Sequence, residues 1–311
     1  MIQPNIIKGV NILLLLCLGL MACEQEDISG KNTPNSNIGS PMNLLFKSGF
    51  EAGTSTKLDN TSSRSKDIIG RDTVSGFDWQ TDLEMDGREF FMNYVDGTDG
   101  VNPEMLGSDI SNDPENTANK VFHTWQNDSE WHEKGYWSRV QGELRNCQFD
   151  EIFYKVRLRI DKNVEVVENE DWWVWCMMGI EIRPINDPSD HSLSTRIHRN
   201  SENRLVWGYH MRLDDENTSF KSDHYIKYDT WQTLEFYAKS GHDENGRILM
   251  MVDGQVIVDQ QGRTVLTQAN LWGSLGILKV YGGLIDVVTN PQYGNKPNVQ
   301  VWFDDLEIWV N

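Results

Sequence analysis

From Asn43 onward the chain is written in short apolar or alternating runs separated by Gly, Asn and Asp, and no stretch of ten or more residues carries a capped 3.6-residue apolar period. The runs 44–50, 121–125, 138–144, 152–160, 172–182, 205–213, 233–238, 248–252, 255–258, 276–281 and 299–310 read as strands. Residues 231–239 and 247–252 flank the turn-forming stretch 240–246, and Asp253-Gly254 then marks a second tight turn, so this part is a meander. A strand buries one face only against another layer, which makes the chain an all-β, two-sheet antiparallel sandwich.

About 270 residues in that pattern favour a concanavalin A-like jelly roll over an immunoglobulin-type sandwich, and the lack of internal repeats disfavours a propeller or solenoid. Residues 62–118, rich in Asp, Gly, Asn and Glu, are expected to form long loops over one end. Asp and Glu number 47 against 28 Lys and Arg, for a net charge of −19, which argues against a nucleic-acid partner. The same charge counts against an anionic polymer unless basic residues gather locally.

Lys8 precedes the uncharged run 12–22, too short to span a bilayer and suited to the apolar core of an export signal. The run ends Leu20-Met21-Ala22-Cys23, which resembles the lipobox of bacterial lipoproteins, so residues 1–22 read as a signal peptide and Cys23 as the lipid-bearing residue carrying chains such as palmitate. The following Glu24-Gln25-Glu26-Asp27 is similar to the surface-export signal of Bacteroidetes lipoproteins, implying a surface-exposed outer-membrane lipoprotein that holds outer-membrane lipid and works beside glycan-uptake machinery. Residues 23–42 read as a flexible tether and 43–311 as the folded domain. Cys147 and Cys176 pair or stay free; their spacing does not decide.

Four further stretches carry a family resemblance. Leu45-Phe46-Lys47-Ser48-Gly49-Phe50-Glu51 and Val301-Trp302-Phe303-Asp304-Asp305-Leu306-Glu307 resemble the first and last strands of jelly-roll polysaccharide lyases. Ser138-Arg139-Val140-Gln141-Gly142-Glu143-Leu144-Arg145 resembles a strand of alginate-lyase and heparin-lyase I-type domains, and Leu278-Lys279-Val280-Tyr281 their late cleft strand. The glutamine–isoleucine–histidine signature of many alginate lyases is missing from Met178-Gly179-Ile180-Glu181-Ile182. The paired-acid strand of jelly-roll glucanases is also missing, which disfavours a retaining glycoside hydrolase.

Strand alternation puts Val140 and Leu144 toward the core and Arg139, Gln141, Glu143 and Arg145 on the opposite face. The same rule places Arg196 and His198, His210 and Arg212, and Lys279 and Tyr281 on outward faces. β-Elimination on a uronate needs a group that neutralises the carboxylate, a base for the C5 proton and an acid for the departing oxygen. Gln141 and Arg145 are assigned the first task, His198 or His210 the second, and Tyr281 the third or both proton transfers. Tyrosine is the usual proton donor in the families resembled. Arg139, Glu143, Arg196, Arg212 and Lys279, with Trp173 or Trp175 as a stacking platform, are expected to bind substrate.

The scheme requires no cofactor, although Glu51 with Asp304 or Asp305 is a candidate for a structural Ca²⁺. The implied activity is cleavage of a uronate-containing polysaccharide such as ulvan or alginate. The alternative is a non-catalytic surface glycan-binding lipoprotein.

Overall fold

The alternating runs pair into two antiparallel sheets whose apolar faces meet. The computed structural model describes residues 34–58, 66–95, 106–127, 138–166, 176–185, 191–213, 216–267, 271–282 and 298–311. The first nine strands are β1 (Asn43–Ser48), β2 (Ser55–Leu58), β3 (Lys66–Ile69), β4 (Glu89–Val95), β5 (Leu106–Asn112), β6 (Lys120–Asn127), β7 (Ser138–Arg145), β8 (Glu151–Ile160) and β9 (Cys176–Pro184). They continue as β10 (Ser192–Arg199), β11 (Leu205–Leu213), β12 (Glu216–Tyr225), β13 (Trp231–Lys239), β14 (Arg247–Val252), β15 (Gln255–Gln261), β16 (Trp272–Gly282) and β17 (Asn298–Val310).

An eight-stranded sheet runs β15-β14-β13-β8-β17-β6-β5, with β1 added to β17, and a seven-stranded sheet runs β12-β11-β10-β9-β16-β7-β4. This is the jelly-roll sandwich expected from the alternation, and each run expected as a strand contributes one. The meander is β13–β14–β15, and both residues of its Asp253-Gly254 turn have positive φ, as the favoured two-residue hairpin turn requires. The first and last strands meet where β1 pairs with β17.

Three expectations need correction or lie out of view. Residues 62–118 are not all loop, because β3, β4 and β5 lie among them. In β4 the side chains of Phe90, Met92 and Tyr94 alternate into the core, a period-two signal hidden by its polar surroundings. Cys147 is a free, buried thiol rather than half of a disulfide. The signal peptide, Cys23, Trp173 and Trp175 lie outside the described residues.

The tether boundary at residue 42 is also corrected. Ile38 and Met42 are buried on the outer face of the eight-stranded sheet against Phe153, Tyr237, Leu249 and Met251, with Trp309 beside them. Asn35 Nδ2 donates to Glu235 at 3.1 Å, and Ser40 Oγ to Glu151 at 2.6 Å. Two isolated apolar residues in a polar stretch do not make a pattern; their partners are the apolar residues on the outward sides of β8, β13 and β14. A chain beginning at Asn43 is therefore expected to be less stable than one beginning at Pro34 by about 2–3 kcal/mol, the burial of two apolar side chains less their ordering cost. Urea melts of the two chains measure this, and equal midpoints would refute the docking.

Candidate functional site

Outward-facing polar residues of the seven-stranded sheet are set in rows by its register. Tyr281 of β16 pairs with Arg139 of β7 on one side and Met177 of β9 on the other, and Met177 pairs with Arg196 of β10. At about 4.8 Å per strand, Arg139 and Arg196 bracket the tyrosine row. A neighbouring row runs His210, Ser194, Glu181, Gly276, Glu143. All five cations assigned to a cleft, Arg139, Arg145, Arg196, Arg212 and Lys279, lie on this one face, opposite Val140, Leu144, Ile182, Ile197 and Met211 of the core. The net negative charge of the chain does not describe this surface.

Two facing irregularities determine which side chains reach it. Ile277 and Leu278 are both buried, and Leu278 has φ +51° at the register shift between β16 and β7, so Lys279 and Tyr281 turn outward instead of continuing the inward set of Leu275 and Ile277. Gly179 opposes Lys279 with φ +101°, and a Cβ there would lie 2.5 Å from Leu234. The backbone groups these bulges release are satisfied by one side chain from the opposite sheet and one from the neighbouring strand β10. Fully buried Tyr154 of β8 donates its hydroxyl to the Gly179 carbonyl at 3.2 Å and accepts from the Leu278 N–H at 3.4 Å. Thr195 Oγ1 accepts from Ile180 N–H at 3.1 Å and donates to the Met178 carbonyl.

On the β7–β16–β9 side a cavity of about 170 Å³ opens among Asn93, Arg139, Gln141, Glu143, Glu181 and Arg183. Glu143 accepts from Arg145 Nε at 2.7 Å, Asn93 Nδ2 at 2.9 Å and Gln141 Nε2 at 3.3 Å. The Gln141 amide nitrogen is thus turned to Glu143. Its Oε1, buried and without a hydrogen-bond partner, sits over Gly276, where a Cβ would come within 2.9 Å. That orphaned acceptor suits a ligand hydroxyl rather than a carboxylate. Arg145 is exposed, paired with Glu143 and stacked over Phe91 at 4.6 Å, away from the tyrosine row. Asn93 escaped the sequence reading because β4 did.

Lys279 is buried and bonds Glu181 directly, so it faces a protein carboxylate before any substrate. Burial alone would raise Glu181, but Lys279, Arg183 and Arg139 outweigh it and hold the carboxyl well below the usual range. Burial raises Tyr281 to about 12 with help from Glu181, while Arg139 and Arg196 oppose it, so the phenol keeps its proton at neutral pH.

The histidines gather on the β10–β11 side around Gly208. A Cβ on Gly208 would lie 2.0 Å from the Phe220 carbonyl oxygen and 2.8 Å from His198 Cδ2, which explains the absence of a side chain there. His198 hydrogen-bonds the Tyr209 backbone while its Nε2 is buried without a partner, leaving Nδ1 as the bonded nitrogen and Nε2 as a free lone pair. His210 Nδ1 is 2.9 Å from Ser219 Oγ. Burial first, then Arg196, lowers His198 to about 4 and His210 to about 3, so both are neutral at physiological pH.

These folded values lie below the ordinary 6.5, so the unfolded chain binds the extra protons and stability is lost as pH falls from about 6.5 toward 4. Urea melts at pH 7.5 and pH 5 are expected to differ by about 2 kcal/mol per histidine, and the His198→Gln variant by correspondingly less. A pH-independent midpoint in this window would refute the buried neutral state.

The acids proposed for a cation do converge. Gly49 Cα faces Asp304, Glu51 and Asp305, but Arg157 Nη1 bonds Asp304 at 3.2 Å and Asp305 at 3.3 Å, and Asn119 takes Asp304 as well. Arg157 supplies the counter-charge that the sequence reading gave to Ca²⁺. Among the described residues no group of three acid, histidine or cysteine side chains is arranged to hold a metal ion.

No protein-family model and no curated protein matches the chain. Solved structures do. The alginate lyase Aly36B superposes with a TM-score of 0.51 at 13% identity, covering 85% of this chain and 95% of that one. An endo-β-1,4-glucuronan lyase from the fungus Trichoderma reesei gives 0.43 at 16% identity over 72% and 95%. The alginate lyase vAL-1 from Chlorella virus gives 0.42 at 11% over 67% and 90%. At these identities the likeness to Aly36B is one of fold.

Proposed function

We propose that the chain is a polysaccharide lyase that cleaves a uronate-containing glycan, of the ulvan or alginate kind, by β-elimination. The observation that carries this is the Tyr281 row: a protonated phenol bracketed by Arg139 and Arg196 on a sheet face that also holds two neutral histidines. Arg139 and Arg196 grip the uronate carboxylate and stabilise the charge that spreads into it as the C5 proton leaves. This role passes from Gln141 and Arg145 to them, because those two are engaged with Glu143. His198 Nε2 takes the C5 proton. Tyr281 delivers its proton to the departing O4, the C4–O4 bond breaks and a C4–C5 double bond forms.

Gln141 Oε1 accepts a sugar hydroxyl, and Arg212 and Arg183 extend the positive rim. No step calls for a metal or organic cofactor. Lipidation at Cys23 and display on the outer-membrane surface, beside glycan-uptake machinery, complete the proposal; the acidic stretch after Cys23 and the export signal support it.

The protein incubated with a panel of uronate polysaccharides is expected to raise ultraviolet absorbance as unsaturated ends form. Retention in polyuronate gels with no absorbance rise on any member would replace the enzyme by a non-catalytic binder.

A further inference from the structure

A second cavity, larger than the cleft cavity, lies away from the cleft face. A pocket of about 390 Å³ opens at the end of the sandwich, where the β10–β11 turn meets residues 225–228 and the short 3-10 turn Lys162–Val166. Its volume lies within the ordinary range for small-ligand sites, whereas the 170 Å³ cleft cavity lies below it.

The floor is apolar, formed by Leu205 and Ile226, both buried members of the main core. Tyr225 and Tyr228 are half-buried walls. Arg199 braces the rim: its guanidinium donates to the Asn203 carbonyl at 3.0 Å and to the Glu165 carbonyl, joining the hairpin turn to the 3-10 turn. Glu165 takes the Tyr228 hydroxyl through its side chain. Arg204 differs from Arg145 and Arg183 of the cleft cavity, which bond Glu143 and Glu181. Its guanidinium carbon lies over the Tyr225 ring, 3.4 Å from the centroid, and among the described residues it is paired with no carboxylate. Stacking fixes the plane of a guanidinium and leaves its N–H edge free for a planar, two-oxygen acceptor.

An apolar floor, two phenol rings whose hydroxyls are held by Glu165 and Glu202, and one ring-stacked arginine bonded to neither acid match a pyranose ring bearing a carboxylate. The C–H face of the sugar lies on the tyrosines and the carboxylate meets the Arg204 edge. We infer that this pocket is a second saccharide-binding site that takes an acidic sugar unit of the polymer, separate from the cleft. The inference rests on the polyuronate reading above. Two sites on one chain would raise retention on a long polymer well beyond that of either alone, while a short oligosaccharide would engage the cleft without the pocket.

The test uses the full chain and its Arg204→Ala and Tyr225→Ala variants, with alginate and other polyuronates in native gels as the probe. Arg204 is exposed, so its removal leaves the core intact. Both variants are expected to show about tenfold weaker retardation on polymer, the loss of one charge-assisted contact. Release of unsaturated product from a short oligouronate should be unchanged. Wild-type retardation in both variants, with product still formed, would overturn the second site alone. A protein neither retarded nor active on any polyuronate would overturn the cleft reading and this site with it.

Discussion

Tyr281→Phe is expected to lower the rate of unsaturated-product formation by roughly 10²–10⁴-fold, the usual contribution of a positioned proton donor. The phenol sits on the outward face beyond the Leu278 bulge, with burial holding its proton in place at about 12. Removing one hydroxyl from a half-buried ring leaves the sheet intact, so melting should not move and KM should change far less than kcat. His198→Ala is the companion measurement. If Nε2 is the base, it costs a similar factor; if only Tyr281→Phe is silenced, the tyrosine performs both transfers. Because burial lowers His198 to about 4, the wild-type rate should hold down to about pH 5 instead of failing near 6.5. Unchanged rates in Tyr281→Phe, His198→Ala and His210→Ala together would refute the site.

Lys279→Met is expected to destabilise the fold by about 3 kcal/mol, since it strands the Glu181 carboxylate, 3% exposed, without its nearest counter-charge. Arg183 at 3.2 Å and the more distant Arg139 offset part of the loss, which places the effect at the low end for a broken buried pair. For a domain of this size the melting temperature should fall by roughly 6–12 °C. The double variant Lys279→Met/Glu181→Leu removes both charges and should recover much of that stability, although Arg183 then loses the Glu181 carboxylate. A Lys279→Met variant that melts like the wild type would show that the ammonium is solvated and free for substrate, as the sequence reading assumed. The pair also bears on the site: Glu181 neutral or displaced would change the field at Tyr281, which now feels the carboxylate and the arginines in opposition.

Alternation by itself determined that the chain is a two-sheet sandwich and which side of each strand faces water, because a strand with one apolar face has only one way to bury it. It therefore turned Arg139, Gln141, Glu143, His198, His210 and Tyr281 to the outward sides of their strands, and the strand order then set those strands in one sheet. It missed β4 and Asn93, where polar neighbours masked a short Phe90, Met92, Tyr94 period, and the docking of Ile38 and Met42, which have no period at all.

Only the tertiary structure decided what those outward residues touch. Gln141 and Arg145 were one assignment in the sequence, yet both are spent on Glu143. Lys279 answers to Glu181 from the next strand, Gly208 and Gly276 make room for His198 and Gln141, and Tyr154 from the opposite sheet pins the two bulges that turn Lys279 and Tyr281 outward. A one-strand pattern encodes the direction of a side chain, a property of local backbone geometry. Its partners are set by register across strands and by groups arriving through the core, residues more than a hundred positions apart in the case of Tyr154 and Leu278.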